Sequence, residues 1–466
     1  MQRLPVESLS DIFVKCLPDQ PYVEPNRDMP PLLFLQVCRH WRNVALQTTE
    51  LWASLNTVLD DGWGDSESMN DWRMDGYAAW LSRSGNRPLS LAVSIEREAG
   101  LWKEWIGLLL PFKGRFERLQ VMDEDEYPTN LSELLEGASM LKVLVVKAHW
   151  QLDEKRTLAI TNPLLCLKTL VVDDFDVDPK TLSCSAWANL THLAIRLPYE
   201  ARYSASAFLE LVLRCPNLET LIFGPFTPEA ADPLAPRKPL IHTNLRSLTV
   251  MPGSSLELHP ASRILVLPSL LCLSVKNELG SDLEETLAEH RQRTVVSPER
   301  LRKMQILDNS DFDVFDVFDV GWRNITHLDL VFHGRLQALL SVIEYCPSLQ
   351  VLGMWGRNSD ECATSLPRPL TYPSLMDLYI SVDAPLGNFL QLVTLPALTE
   401  LTIFTTACGP HNDIRDMLLR SRSPLTCLEV TERCSGKACE WTEEERQQLL
   451  ASIPTLNDLF LTPSTF

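Results

Sequence analysis

The sequence holds no apolar run approaching the roughly 18 residues that a membrane-spanning helix needs. It has no charged N-terminal segment leading into an apolar core, the mark of a secretory signal. The expectation is an intracellular chain, cytoplasmic or nuclear, with no membrane partner. Its twelve cysteines should then be reduced thiols. Positive charge is scarce as well: 42 lysines and arginines stand against 61 aspartates and glutamates, giving a net charge of −19 and a pI near 5.0. A nucleic-acid surface needs the opposite balance, so no nucleic-acid partner is expected, and the acidic excess favours basic partners or simple solubility.

Catalytic signatures are missing too. There is no glycine loop ending in Gly-Lys-Ser/Thr, no His-Glu-x-x-His and no Gly-x-Ser-x-Gly. The nine histidines are scattered. The acidic run Asp308–Asp319 lacks the glycine and closing glutamate of a calcium-binding loop and reads as an exposed return segment. Asp123–Glu126 reads as a solvated loop. Cys434 and Cys439 have no second pair nearby, whereas a zinc site needs four ligands. These absences predict a chain that is not an enzyme, with no catalytic residues, no cofactor and no metal.

What is present in abundance is a repeat. A chain of 466 residues is too long for one core and points to several domains or an elongated array. Its composition, 45% hydrophobic and 22% charged, suits folded protein. A six-residue phrase recurs: leucine, two variable residues, leucine, one variable residue, then an aliphatic residue. It reads LKVLVV from Leu141, LKTLVV from Leu167, LETLIF from Leu218, LQVLGM from Leu349, LMDLYI from Leu375 and LTELTI from Leu398. With the weaker PLSLAV from Pro88 and FERLQV from Phe116 there are fifteen copies, starting 23 to 31 residues apart. Most of these spacings lie in the leucine-rich-repeat range.

Residues four and six of a phrase point to one side of a strand; residues three and five point to the other. One unit cannot bury its apolar side alone, so neighbours must stack, with parallel strands joined by return segments. The expected fold is α/β, a curved leucine-rich-repeat solenoid with a parallel concave sheet over residues 88–466. Ala207–Arg214, Leu336–Tyr345 and Asp282–Arg293 read as helical returns, and Pro225–Pro239 is too proline-rich for one. Cys166, Cys215, Cys272, Cys346 and Cys427 sit in apolar segments and should pack as small hydrophobes.

Aligning the later phrases lines up a candidate binding face. Position three reads His327, Val351, Asp377, Glu400, Cys427 and Asp458; position five reads Asp329, Gly353, Tyr379, Thr402, Glu429 and Phe460; position seven adds Trp355 and Phe404. His192 holds position three of an earlier copy and should be solvated. The candidate substrate residues are His327, Asp329, Trp355, Asp377, Tyr379, Glu400, Phe404 and Glu429. Aromatic anchors among carboxylates suit an unknown protein substrate with a basic or mixed basic-apolar segment. An ordinary acidic surface is the competing reading.

Ahead of the repeats lie three short amphipathic segments. Residues 5–17 carry Leu9, Ile12, Phe13, Cys16 and Leu17 in a helical stripe, with Pro5 suited to the first helical position and Glu7 to the first turn. Residues 31–46 carry Phe34, Val37, Cys38, Trp41, Val44 and Ala45 on one face, after the proline-rich connector Pro18–Pro31. Thr48 can cap a third short helix bearing Leu51, Trp52 and Leu55.

Leu4, Pro5, Glu7, Leu9, Ile12 and Phe13, followed by Leu35, Val37, Cys38, Arg39, Trp41, Arg42, Ala45, Leu51 and Trp52, resemble an F-box, nearest to the expanded F-box families of mushroom-forming fungi. The cysteine-containing phrases CPNLETL from Cys215 and CPSLQVL from Cys346 look like the repeat variant of F-box proteins. The connector is longer than in a typical F-box.

The resemblance implies a three-helix F-box at 1–56, a linker and cap at 57–87 and the solenoid at 88–466. It implies docking on Skp1, and through it on a cullin–RING ubiquitin ligase, with Leu4, Pro5, Leu9, Val37, Cys38, Trp41, Leu51 and Trp52 as candidate Skp1-binding residues. Trp41 could equally be core. The function implied is substrate recognition for an SCF-type ligase. The alternative is an interaction scaffold, Skp1-binding or Skp1-independent, not coupled to ubiquitin transfer, with residues 4–55 in the second case an N-terminal cap.

Overall fold

A strand that buries its fourth and sixth residues is stable only if a neighbour continues the same apolar row. The computed structural model describes residues 4–59, 67–95, 99–123, 131–148, 164–173, 184–196, 205–224, 240–250, 265–276, 303–308, 326–334, 346–358, 370–382, 387–405, 411–432 and 443–463. Each of the fifteen phrases forms one strand, starting at its third residue except in the first two copies, where the strand starts at Leu89 and Phe116. The chain divides into two compact units, Met1–Pro225 and Phe226–Phe466.

In the first unit seven strands pair in parallel in chain order: β1 (Ser54–Leu59), β2 (Leu89–Ile95), β3 (Phe116–Asp123), β4 (Val143–Ala148), β5 (Thr169–Asp173), β6 (His192–Arg196) and β7 (Thr220–Gly224). The fourth-position residues Leu55, Leu91, Leu119, Leu144, Leu170, Leu193 and Leu221 stand in register as one buried row. Each such side chain, fully buried, contributes about 1.5–3 kcal/mol.

In the second unit the ladder runs through β9 (Ser247–Val250), β11 (Cys272–Lys276), β12 (Lys303–Asp308), β13 (His327–Gly334), β14 (Val351–Asn358), β16 (Asp377–Val382), β18 (Glu400–Thr405), β19 (Cys427–Glu432) and β20 (Asp458–Pro463). The two-residue strands β8 (Leu240–Ile241) and β10 (Leu265–Val266) pair with each other, as do β15 (Leu370–Thr371) and β17 (Val393–Thr394).

Two backbone devices fix the register. The first-position leucine donates its N–H to the carbonyl three residues earlier, as Leu141 does to Ala138, Leu218 to Cys215, Leu349 to Cys346 and Leu398 to Leu395. The second-position N–H donates to the second-position carbonyl of the preceding phrase, from Met376 to Gln350, Thr399 to Met376 and Thr426 to Thr399. Variation in spacing is therefore absorbed by the returns. One return is the helix Ala205–Arg214, whose Phe208 lies 5.2 Å from Phe223 of β7. The expected segments Pro225–Pro239, Asp282–Arg293 and Leu336–Tyr345, the residues 309–319 and 124–126, and the pair Cys434 and Cys439 lie outside the described residues.

Several expectations need correction. The ladder begins at β1, within the stretch assigned to the first module and the linker, because Trp52 and Thr57 stand where the phrase would show aliphatic residues. Thr57 is buried, and its hydroxyl donates to the Ala92 carbonyl at 3.3 Å. Next, the second face of the middle strands is not solvated. Val145, Val171, Ala194, Ile222 and Thr249, all at position five, are fully buried. That burial encloses the ion pair of Asp173 with Arg196, held at 2.5 and 2.8 Å. His192 is half-buried, 2.8 Å from the Thr191 hydroxyl.

The cysteines also divide. Cys215 and Cys346, three residues before the first leucine, fill the core slot that Leu164 and Trp187 fill elsewhere. Cys272 is buried and Cys427 half-buried, but Cys166, one residue before the leucine, sits in the turn and is exposed.

The N-terminal module comprises α1 (Val6–Lys15), α2 (Phe34–Val37), α3 (Arg39–Gln47) and a 3-10 turn at Thr49–Trp52. Pro5 precedes α1 rather than opening it. The expected helix over 31–46 breaks at Cys38, which is extended, and whose Sγ accepts the Trp41 N–H at 3.5 Å. Thr48 does not cap the third segment; its hydroxyl donates back to the Val44 carbonyl at 2.8 Å and meets Ser10 of α1 at 2.9 Å. Phe13 stacks on Phe34 at 4.0 Å, and Trp41 meets both rings edge-on.

The module is joined to the first strand by side-chain and backbone hydrogen bonds. The Ser54 hydroxyl donates to the Pro21 carbonyl at 2.9 Å and accepts from the Val23 N–H at 3.0 Å, while the Asn56 N–H donates to the Val23 carbonyl at 2.8 Å. Trp52, fully buried, donates from Nε1 to the Ala45 carbonyl at 2.9 Å. Its ring lies edge-on to Trp80 of the helix α4 (Glu67–Arg83) at 4.9 Å, with the Arg83 guanidinium 4.8 Å away.

Trp52→Ala should therefore cost about 3–5 kcal/mol, read as a lower urea midpoint. An unchanged midpoint would contradict the shared core. Burial pushes the thiols of Cys215 and Cys346 up to about 12. A raised folded-state pKa favours the protonated thiol, so stability is whole below the unfolded value of roughly 8.5 and is lost as pH climbs toward the folded value. In alkylation at pH 8, Cys16, Cys38 and Cys166 should react in the native chain, and Cys215, Cys272 and Cys346 only in denaturant.

Candidate functional site

Two surfaces carry the candidate residues, one in each unit. The first is the outer side of the N-terminal module. Its helices are short, and the core they form with β1 uses only part of each apolar stripe. In α1 Leu9 and Phe13 are buried while Val6 and Ile12 are exposed. Leu4 and Val37 stand 56% and 52% exposed, with Pro5 and Cys38 also exposed. Of the fifteen exposed large apolar side chains among the described residues, six lie between Leu4 and Val37. Six exposed apolar side chains thus fall within the first 37 residues, against nine over the rest of the described chain.

The structure separates the eight candidate Skp1-binding residues. Leu4, Pro5, Val37 and Cys38 face outward, and Trp41 is half-buried against Phe13. Leu9, Leu51 and Trp52 are core. A partner cannot touch them, and their part is to hold the module on the first strand. Val6, Met29 and Leu33 are exposed apolar residues that the sequence reading did not single out. Val6 lies within the helical stripe, three residues before Leu9 and seven before Phe13, but in the exposed first turn of α1, and Met29 and Leu33 lie where the connector runs into α2.

The second surface is the odd-position face of the later strands. Parallel pairing sets Asp377, Glu400, Cys427 and Asp458 in one row and Gly353, Tyr379, Thr402, Glu429 and Phe460 in the next. The third row holds Trp355, Ser381, Phe404 and Thr431. Large and small residues alternate: Tyr379 lies between Gly353 and Thr402, and Ser381 lies between Trp355 and Phe404. The small neighbours let the rings lean together, with Trp355 to Tyr379 at 4.9 Å and Tyr379 to Phe404 at 5.5 Å, tilted 35° and 42°. All three rings are half-buried, and Phe460 is 53% exposed.

The carboxylates converge on Cys427. Its thiol is pushed up by partial burial, and next by Asp458, Glu400, Glu429 and Asp377. Of the eight candidate substrate residues, Trp355, Asp377, Tyr379, Glu400, Phe404 and Glu429 come together on this face. His327 lies two strands before Asp377, its Nδ1 2.9 Å from the Thr326 hydroxyl. Asp329 pairs in register with Gly353, and its side chain is outside the described residues. Among the described residues no group of three His, Cys, Asp or Glu is placed to hold a metal ion, and no helix is long and apolar enough to cross a membrane.

No protein-family model matches the chain, and no curated protein matches it. Among solved structures, the complex of TLR13 with the single-stranded RNA ssRNA13 is similar at 14% identity with a TM-score of 0.31, the match covering 80% of this chain. This chain spans 60% of the length of that one.

Proposed function

We propose that the chain is the substrate-recognition subunit of an SCF-type ubiquitin ligase, its N-terminal module docking on Skp1 and its repeats holding a protein substrate. The observation that carries this reading is the outer side of the module. Leu4, Pro5, Val37 and Cys38, which belong to the F-box-like pattern, stay exposed although the module has a formed aromatic core. A short helical module with unspent apolar side chains gains stability by covering them with a partner. On this reading the chain supplies no transferase chemistry; Skp1 links it to a cullin–RING ligase that does. The site needs no cofactor.

The bonds from Ser54 and Trp52 favour a second reading, in which the module only caps the repeats and the protein is a Skp1-independent scaffold. Repeat ends do need covering, and these residues cover one.

Co-purification with Skp1 separates the two. The wild type should bind, and the double substitution Leu4→Asp, Val37→Asp should lose binding while its unfolding free energy changes by no more than about 0.5 kcal/mol per site, as exposed positions allow. Wild-type protein that does not retain Skp1 would sink the adaptor reading. Adding the cullin–RING components and following substrate ubiquitylation then divides a ligase subunit from a Skp1-bound scaffold.

A further inference from the structure

The face formed by β14, β16, β18, β19 and β20 has a charge balance and a spacing that specify a partner. Across positions three, five and seven of these five strands there are four carboxylates and no lysine or arginine. Asp377 pairs in register with Glu400, so like charges stand on adjacent strands. Among the described residues Glu400, Glu429 and Asp458 have no salt-bridge partner. The aromatic ladder lies beside them: the ring-bearing rows are two and four residues further along the strands than the first carboxylate row, about 7 and 13 Å.

That separation matches one type of side chain. A long cationic residue can lay its apolar stem on a ring and bring its charged head to a carboxylate. Arginine fits better than lysine, because its planar guanidinium both stacks on aromatic faces and forks to a carboxylate. An acidic or phosphorylated segment would be repelled, and a purely apolar one would leave the carboxylates partly desolvated without a partner.

We infer that this face binds an extended peptide segment in which arginines alternate with apolar residues. The apolar residues settle beside Tyr379 and Phe460, and the arginines engage Glu400, Glu429 and Asp458. The inference rests on the reading that the repeats hold a protein substrate, and is independent of Skp1.

The test is fluorescence polarisation of a labelled ten-residue peptide of alternating arginine and leucine against the full chain, beside the same peptide with glutamine for arginine. The arginine peptide should bind, and the glutamine peptide should bind at least about tenfold more weakly. Glu400→Gln with Glu429→Gln should weaken the arginine peptide about tenfold or more. Glu133→Gln with Glu136→Gln removes the same charge from exposed positions in the other unit and should leave affinity unchanged. Tyr379→Ala should weaken both peptides. Equal loss in the two charge pairs would show attraction to net charge alone, and equal binding of the two peptides would show a merely apolar face; either overturns the inference. The same preparations are assayed for Skp1 retention, so that failure of the peptide and failure of the adaptor reading are seen separately.

Discussion

The structure depends on one row of contacts, the in-register stacking of fourth-position leucines from strand to strand. Leu91, Leu119, Leu144, Leu170, Leu193 and Leu221 in the first unit, and Leu352, Leu378, Leu401 and Leu428 in the second, each complete the burial of the next. A single strand with its return could not bury its apolar side. Register follows from the second-position backbone ladder, which sets each phrase against the last whatever the length of the segment between them. Once register is set, alternation decides everything on the other face. Rings, carboxylates and small residues come together there because they share positions three, five and seven.

That other face is used in two ways. In the middle strands it carries Val145, Val171 and Ile222 and is buried. In the later strands the same positions carry Asp377, Tyr379, Glu400 and Glu429 and stay partly open. The N-terminal end shows a similar division of labour. Leu51 and Trp52 anchor the helical module to the first strand, while Leu4 and Val37 remain outward. A module this small gains a core by borrowing one, and what it does not bury stays exposed.

The strands were legible because the phrase and its spacing survive variable returns. The first strand was not, because a tryptophan and a buried threonine replace its aliphatic residues. Burial of the second face in the middle repeats had a signal in the runs LVV from Leu144, LVV from Leu170 and LIF from Leu221, since strands buried on both sides lose their alternation. The break at Cys38 had none: the apolar stripe from Phe34 to Val44 runs through it, and a thiol is a weak cap. Side-chain type cannot divide core from contact surface within one amphipathic stripe, which is why Leu9, Leu51 and Trp52 stood with Leu4 and Val37. The ring ladder was legible as a row of positions but not as contacts, because the leaning of Tyr379 depends on glycine and threonine on the flanking strands.

The central claim is that the outer side of the N-terminal module docks Skp1 while the repeats remain available. Hydrogen exchange of the full chain with and without Skp1 addresses it directly. The account predicts new protection in α1 and around Leu33–Cys38, with β16 to β20 unchanged. Protection confined to the repeat strands, or none anywhere, would contradict it.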